Sequence, residues 1–167
     1  MLAENQDIDD IEPEPCTIGI ISDTHGLLRP EVTTSFKGVD FILHAGDVGD
    51  PEVIDGLESI APLVVVRGNM DYGSWSDPLP VSRSLSIAKT HLFLIHDLEW
   101  IEPQFELKHY QVIVSGHTHR ALIEKKGDVL FFNPGSAGHQ RGGHALSVGK
   151  LVLCNGQLEA QLIELVV

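Results

Sequence analysis

Basic residues are scarce in this chain: 11 Lys and Arg stand against 24 Asp and Glu in 167 residues, for a formal charge of −13. Proteins that hold long nucleic acids by neutralising phosphates carry a basic face. Here no basic run exceeds Lys125-Lys126, so long nucleic acid is not expected as a partner. Cysteine is nearly absent. Cys16 and Cys154 stand alone in apolar runs without C-x-x-C spacing, a pattern of buried free thiols instead of a disulfide or redox pair. No apolar run approaches the ~18 residues that span a bilayer. The first residues lack the basic start and apolar stretch of a secretory signal, so a cytoplasmic protein without a membrane partner is expected.

The acidity that is present is uneven. Glu4, Asp7, Asp9, Asp10, Glu12 and Glu14 fall among residues 1–15, together with Pro13 and Pro15 and no Lys or Arg. Charge repulsion without apolar content cannot offset the entropy of ordering. Residues 1–15 are therefore expected to form a disordered acidic tail, and residues 16–167 one domain, a length that buries its own core.

Residues 16–22, 40–44 and 63–67 are short runs of Ile, Val and Leu, each followed by Gly, Asp or Asn. They read as buried parallel strands. Between them, Pro30 and Pro51 each open a helical segment, over residues 30–36 and 51–60. This β-α-β-α-β order predicts parallel pairing with right-handed crossovers. In the second half, residues 83–88 and 91–96 predict a hairpin, 103–110 a short helix and 111–115 another apolar strand. Lys126-Gly127-Asp128 and Asn155-Gly156 mark turns between further strand pairs, over 121–125 and 129–133 and over 150–154 and 157–165. The expected fold is an α/β sandwich of nine or ten strands in two mixed sheets.

Asp23, Asp47, Asn69, His96 and His117 each follow an apolar run, so the ends of several strands deliver them to one edge, where open α/β folds place their sites. Asp23 and His25 lie two apart, as do His117 and His119, and such pairs leave an extended segment on one side. Gly46, Gly68 and Gly116 precede Asp47, Asn69 and His117 and leave room beside them. Asp47 is expected to bridge, with one ion on each oxygen. Two carboxylates, an amide oxygen and four imidazoles suffice for two divalent cations that share a carboxylate. This donor mixture suits Mn²⁺, Fe²⁺, Zn²⁺ or Ni²⁺ better than Ca²⁺.

With these motifs in order, the sequence resembles the calcineurin-like metallophosphoesterase superfamily, in particular its small single-domain, YfcE-type phosphodiesterase branch. The resemblance rests on Ser22-Asp23-Thr24-His25-Gly26, His44-Ala45-Gly46-Asp47, Gly68-Asn69-Met70-Asp71, His96, Gly116-His117-Thr118-His119 and Asn133-Pro134-Gly135-Ser136. It implies a four-layer αββα sandwich, with Asp23, His25, Asp47 and His119 on one ion and Asp47, Asn69, His96 and His117 on the other. It also implies Mn²⁺ as the first choice of metal. The implied reaction is hydrolysis of small phosphodiesters by attack of a hydroxide bridging the ions, with Asp23, His25, Asp47, Asn69 and His96 as the catalytic set.

The chain departs from the family pattern at two positions. Met70 stands where relatives place a histidine or cysteine beside the metal-binding Asn, and a thioether donates no proton. Asp97 stands where relatives commonly place Gly. Facing the metals it would add a ligand or raise metal affinity; the solvent-facing arrangement is expected. Asp71 either orients a ligand histidine or is a solvated loop residue. His44 is read as a core residue or a support for Asp47. The run from Asn133 to Ser136, continuing through Gly138, Arg141, Gly142 and Gly143, is read as a turn. Weak candidates for phosphate contacts are Arg141 and Ser136 of this run and, outside it, Arg29.

A small phosphodiester is thus the expected partner, bound by a monomer or homodimer. Two alternatives stay open. One is monoester or dinucleotide hydrolysis on the same ions. The other is a protein-binding scaffold like the vesicle-coat relatives of this family, which have lost part of the ligand set.

Overall fold

The computed structural model describes residues 15–167, so the acidic tail read over residues 1–15 lies almost wholly outside the described residues. Ten strands form two five-stranded sheets. The first holds β1 (Cys16–Ile21), β2 (Phe41–His44), β3 (Leu63–Val65), β9 (Ser147–Cys154) and β10 (Gln157–Glu164), in the order β10-β9-β1-β2-β3. The second holds β4 (Ser82–Ile87), β5 (Thr90–Ile95), β6 (Val112–Val114), β7 (Leu122–Lys126) and β8 (Val129–Asn133), in the order β4-β5-β6-β8-β7.

β1, β2 and β3 are mutually parallel, as are β5, β6 and β8, while the hairpins pair antiparallel. Both sheets are therefore mixed. Each parallel strand is too short and too apolar to face water on either side, so it demands cover on both. Between the sheets, Ile18, Ile20 and Leu43 of the first meet Leu85, Leu92, Leu94, Val112, Val114 and Phe132 of the second. On the outer side of the first sheet lie α1 (Pro30–Ser35) and α2 (Pro51–Glu58), which bury Val32, Val53 and Leu57 against Ile21, Ile42 and Val65. Asp50 caps α2 by accepting the Glu52 N–H, and Pro51 supplies the preset φ of the first turn.

The outer side of the second sheet differs from expectation. Residues 103–110 do not form an α-helix; only a single 3₁₀ turn, Leu107–His109, appears there, with another at Leu98–Trp100. The reason lies in side-chain direction. Phe105 packs on Phe93 with ring centroids 4.6 Å apart, Tyr110 packs on the same ring at 5.3 Å, and Leu107 joins the same cluster. Residues two apart on an α-helix point to nearly opposite sides, so a helix could not deliver both Phe105 and Leu107 to the sheet. Among the described residues no helix is long and apolar enough to cross a membrane.

Pairing continues past the ends of β1 and β2. Asp23 N–H donates to Gly46 O at 3.0 Å, His25 N–H to Asp47 O at 3.0 Å and Gly26 N–H to Val48 O at 2.7 Å. The loops after β1 and β2 thus run as a locked pair and carry Asp23, His25 and Asp47 to one place.

Candidate metal centre

All seven donor-type residues expected from the sequence meet at this edge. Asp47, 3% exposed, sits at its middle. Its Oδ2 lies 3.8 Å from His25 Nε2 and 3.4 Å from His96 Nε2. Its Oδ1 is committed elsewhere, accepting the Met70 N–H at 2.8 Å. In this arrangement a single oxygen, Oδ2, faces both groups of donors.

On one side, Asp23 Oδ1 lies 3.2 Å from His119 Nε2 and 3.8 Å from His25 Nε2. Asp23 Oδ2 is held back by the Ser22 hydroxyl at 2.7 Å and the His117 N–H at 3.1 Å. On the other side, Asn69 Oδ1 lies 3.0 Å from His96 Nε2 and 3.1 Å from His117 Nδ1. Candidate donor atoms of Asp23, His25 and His119 all fall within 4.8 Å of one another, as do those of Asp23, Asp47 and His96.

Three buried atoms here have no hydrogen-bond partner among the described residues: Asp23 Oδ1, His25 Nε2 and His119 Nδ1. A buried carboxylate oxygen left so costs free energy that a hydrogen bond or a cation would recover. Two of these atoms, Asp23 Oδ1 and His25 Nε2, lie 3.8 Å apart, too far for a hydrogen bond, an arrangement that a shared cation satisfies. The donor set fits a divalent metal.

The backbone records the same demand. Among the described residues only eight other than glycine have positive φ, and five of them are Asp23, His25, Asp47, His117 and His119. The remaining three, Ala88, Lys89 and Asn155, sit in hairpin turns, where left-handed residues are usual. Strain of this kind persists where the surroundings over-determine it and clusters at functional sites.

Charge states follow from the surroundings. Burial holds the His25 ring below its ordinary pKa, with Arg141 and His119 acting the same way, against the opposing pull of Asp47 and Asp23. Burial works against a charged His96, but the hydrogen bond it donates to Asp47 and the charges of Asp23 and Asp47 outweigh it and raise its pKa. Its Nδ1 meets Ala45 O at 2.7 Å, which assigns the proton to Nδ1 and aims Nε2 at Asp47 and Asn69. Asp47 shows the reciprocal effect: burial raises its pKa, and the His96 bond, the Met70 N–H and His25 together bring it below the ordinary range.

His44 is fully buried and supports the Asp47 loop. Its Nδ1 accepts the Gly46 N–H at 3.1 Å, so Nε2 carries the proton and donates to Thr24 Oγ1 at 2.9 Å, whose hydroxyl donates in turn to Val48 O. Burial lowers its pKa to about 3, consistent with this neutral tautomer.

Asp71 neither contacts a histidine nor faces solvent. It is 6% exposed and accepts N–H groups from Gly49 and Gly68, each at 2.8 Å, so it clasps the Asp47 loop to the Asn69 loop. Burial raises its pKa against the pull of those two N–H groups. Nothing in its spacing signals this role, because Gly49 lies on another strand's loop.

Ser136 departs from its expected place. It is 2% exposed, with its hydroxyl 3.1 Å from Asp23 O and 2.9 Å from His139 O, so it braces the Asp23 loop and presents nothing to a phosphate. Arg29 donates its Nε to Gly138 O at 2.9 Å in the same brace. Arg141 is exposed, in a loop where Gly142 and Gly143 take positive φ, and its charge reaches His25.

Asp97 is turned inward, contrary to the solvent-facing expectation: its side chain is 14% exposed, and Oδ2 lies 3.5 Å from His117 Nε2. Oδ1 caps the Leu98–Trp100 turn by accepting the Glu99 N–H at 3.0 Å. With Nδ1 of His117 directed at Asn69, a carboxylate behind Nε2 favours the tautomer that carries its proton there and helps orient the ring. Asp97→Asn keeps the cap and removes the charge. Metal affinity, followed by competition with a chromogenic chelator, should fall by about tenfold; an unchanged affinity would reduce Asp97 to a turn residue.

The profile described as "Calcineurin-like phosphoesterase superfamily domain" matches residues 17–156. A probable metallophosphoesterase of Methanocaldococcus jannaschii is 37% identical over 133 residues, 71% of this chain and 67% of that protein. Phosphodiesterase YfcE of Escherichia coli K12 is 31% identical over 113 residues, 60% of this chain and 58% of that one. Among solved structures, Vacuolar Protein Sorting 29 from Cryptosporidium parvum superposes with a TM-score of 0.74 over 91% of this chain and 98% of its own, at 19% identity, a likeness of fold.

Proposed function

The chain belongs to the calcineurin-like phosphoesterase superfamily, and from that premise we propose that it hydrolyses small phosphodiesters with two divalent cations, Mn²⁺ foremost. The observation that carries this reading is Asp47 Oδ2, set between His25 Nε2 and His96 Nε2. Asp23, His25, Asp47 and His119 would hold one ion; Asp47, Asn69, His96 and His117 would hold the other. Such a pair supplies Lewis acidity toward phosphoryl oxygens and a water acidic enough to act as nucleophile near neutral pH.

The chain's own residues do the rest. Asp47 keeps its charge through the Met70 N–H and His96, and the lowered pKa of His25 leaves its nitrogen free to coordinate. Arg141, exposed and near enough for its charge to act on His25, would meet a phosphoryl oxygen. Met70 has no proton to give and is 44% exposed next to the Asp47 loop, which favours esters whose leaving group departs unprotonated. A diester carries one fewer negative charge than a monoester, which suits a protein of charge −13. The phosphodiesterase name of the YfcE relative supports the same preference.

The test is turnover of an aryl phosphodiester and its matching monoester by metal-stripped protein, before and after adding Mn²⁺. Restored diester turnover well above monoester turnover is expected. A higher monoester rate would support the monoesterase alternative. Bound metal with neither ester cleaved would support the scaffold.

A further inference from the structure

One sizeable cavity does not lie over Asp23 or Asp47. It is a groove of about 1130 Å³ that begins at His117 and runs outward between β7 and β10, the edge strands of the two sheets. Leu98, Leu122, Phe131 and Leu162 form its apolar wall. Leu98 is 40% and Leu122 48% exposed. The polar groups of the floor are already used. Ser147 Oγ donates to Pro134 O, and Asn133 Nδ2 donates to Gly116 O and Thr118 Oγ1 while its Oδ1 accepts the Gly135 N–H. What faces the groove is thus mainly hydrocarbon.

The charges lining the groove limit its occupant. Asp97, Glu99 and Glu164 oppose a single guanidinium, that of Arg120. Three carboxylates against one cation repel a second anionic group, which disfavours a second phosphate. An exposed apolar groove continuous with a metal centre calls for an uncharged apolar group attached to the atom being attacked.

Resting on the phosphodiesterase reading, we propose that this groove is the subsite for one ester arm of the substrate. The preferred substrates are phosphodiesters with a bulky, uncharged, apolar arm. A linear acyl or alkyl chain and a planar aromatic group share that chemistry, and the experiment separates them.

Methyl, butyl, octyl and benzyl esters of 4-nitrophenyl phosphate all release the same nitrophenolate, so the arm alone varies. In the Mn²⁺-loaded protein, KM should fall roughly fourfold per added methylene until the groove is filled, with kcat nearly constant. A benzyl ester better than the butyl ester would assign an aromatic arm, and the reverse an aliphatic one. Leu122→Glu should flatten the octyl-to-methyl ratio of kcat/KM. Cleavage of the methyl ester with no dependence on the arm would overturn the groove and leave the phosphodiesterase reading standing. Where no ester is cleaved, that reading fails and the groove is tested by itself, by NMR titration with octyl methylphosphonate. Shifted Leu98, Leu122 and Leu162 methyl signals would support it; unmoved signals would overturn it.

Discussion

Asp47→Asn should lower phosphodiester turnover on the order of 10³-fold or more and abolish stable binding of a metal pair. The substitution keeps the shape of the side chain, and an amide oxygen can still accept the Met70 N–H that Oδ1 accepts now at 2.8 Å. The loop should therefore keep its path. What disappears is the negative charge facing both His25 Nε2 and His96 Nε2. An amide oxygen is a weak bridging ligand, and the NH₂ group, turned the other way, repels a cation outright. Lewis-acid stabilisation of phosphoryl charge supplies several kcal/mol, and a loss of about 4 kcal/mol corresponds to about 10³ in rate. Turnover alone would not separate lost metal from damaged folding, so melting is measured with and without Mn²⁺. Wild type at a hundred times Kd should gain about 2.7 kcal/mol of stability, whereas the variant should gain almost none and melt near wild type when metal-free. A variant that still binds two ions and turns over at the wild-type rate would sink the shared-carboxylate reading.

Much of this centre was legible in the sequence because it is written locally. An apolar run ending in Gly-Asp or Gly-Asn marks both a parallel strand and the place where its loop delivers a donor. The structure brings all seven such residues together. What was not legible depends on neighbours remote in the chain. Asp97 needs His117 across the second sheet to become a support for an imidazole, and Asp71 needs Gly49 to become a clasp. The left-handed backbone at Asp23, His25, Asp47, His117 and His119 is not readable from composition, since Asp and His enter that region more often than other side chains but still only in a minority of positions. Residues 103–110 failed for the opposite reason: Pro103 is a good helix opener, but the sheet's need for Phe105 and Leu107 on one side overrode it.

Gly68→Ala should be a damaging conservative change near the centre, although Gly68 does not need a left-handed φ. A Cβ there would collide with Asp47 Oδ1 and with the Asp47 backbone nitrogen. The neighbouring loop cannot easily withdraw. A Cβ on Gly46 would itself lie 2.9 Å from Gly68 N, which measures how closely the two backbones touch, and Asp71 holds both loops through Gly49 and Gly68. Relief must come from moving Asp47, which breaks its bond to the Met70 N–H and turns Oδ2 away from the histidines. Overpacking of this kind costs about 1–3 kcal/mol, and at about 2–4 °C per kcal/mol for a chain of this size the melting temperature should drop by roughly 2–12 °C. Metal affinity should fall by two orders of magnitude or more, because a ligand displaced by even 1 Å no longer serves both ions. Gly127→Ala is the matched control: it meets nothing within 4 Å but has φ +59°. It should cost on the order of 1 kcal/mol through backbone strain and leave metal affinity untouched. If Gly68→Ala bound metal like wild type, the loops would be free to spread, and close backbone packing would not be what aims Asp47.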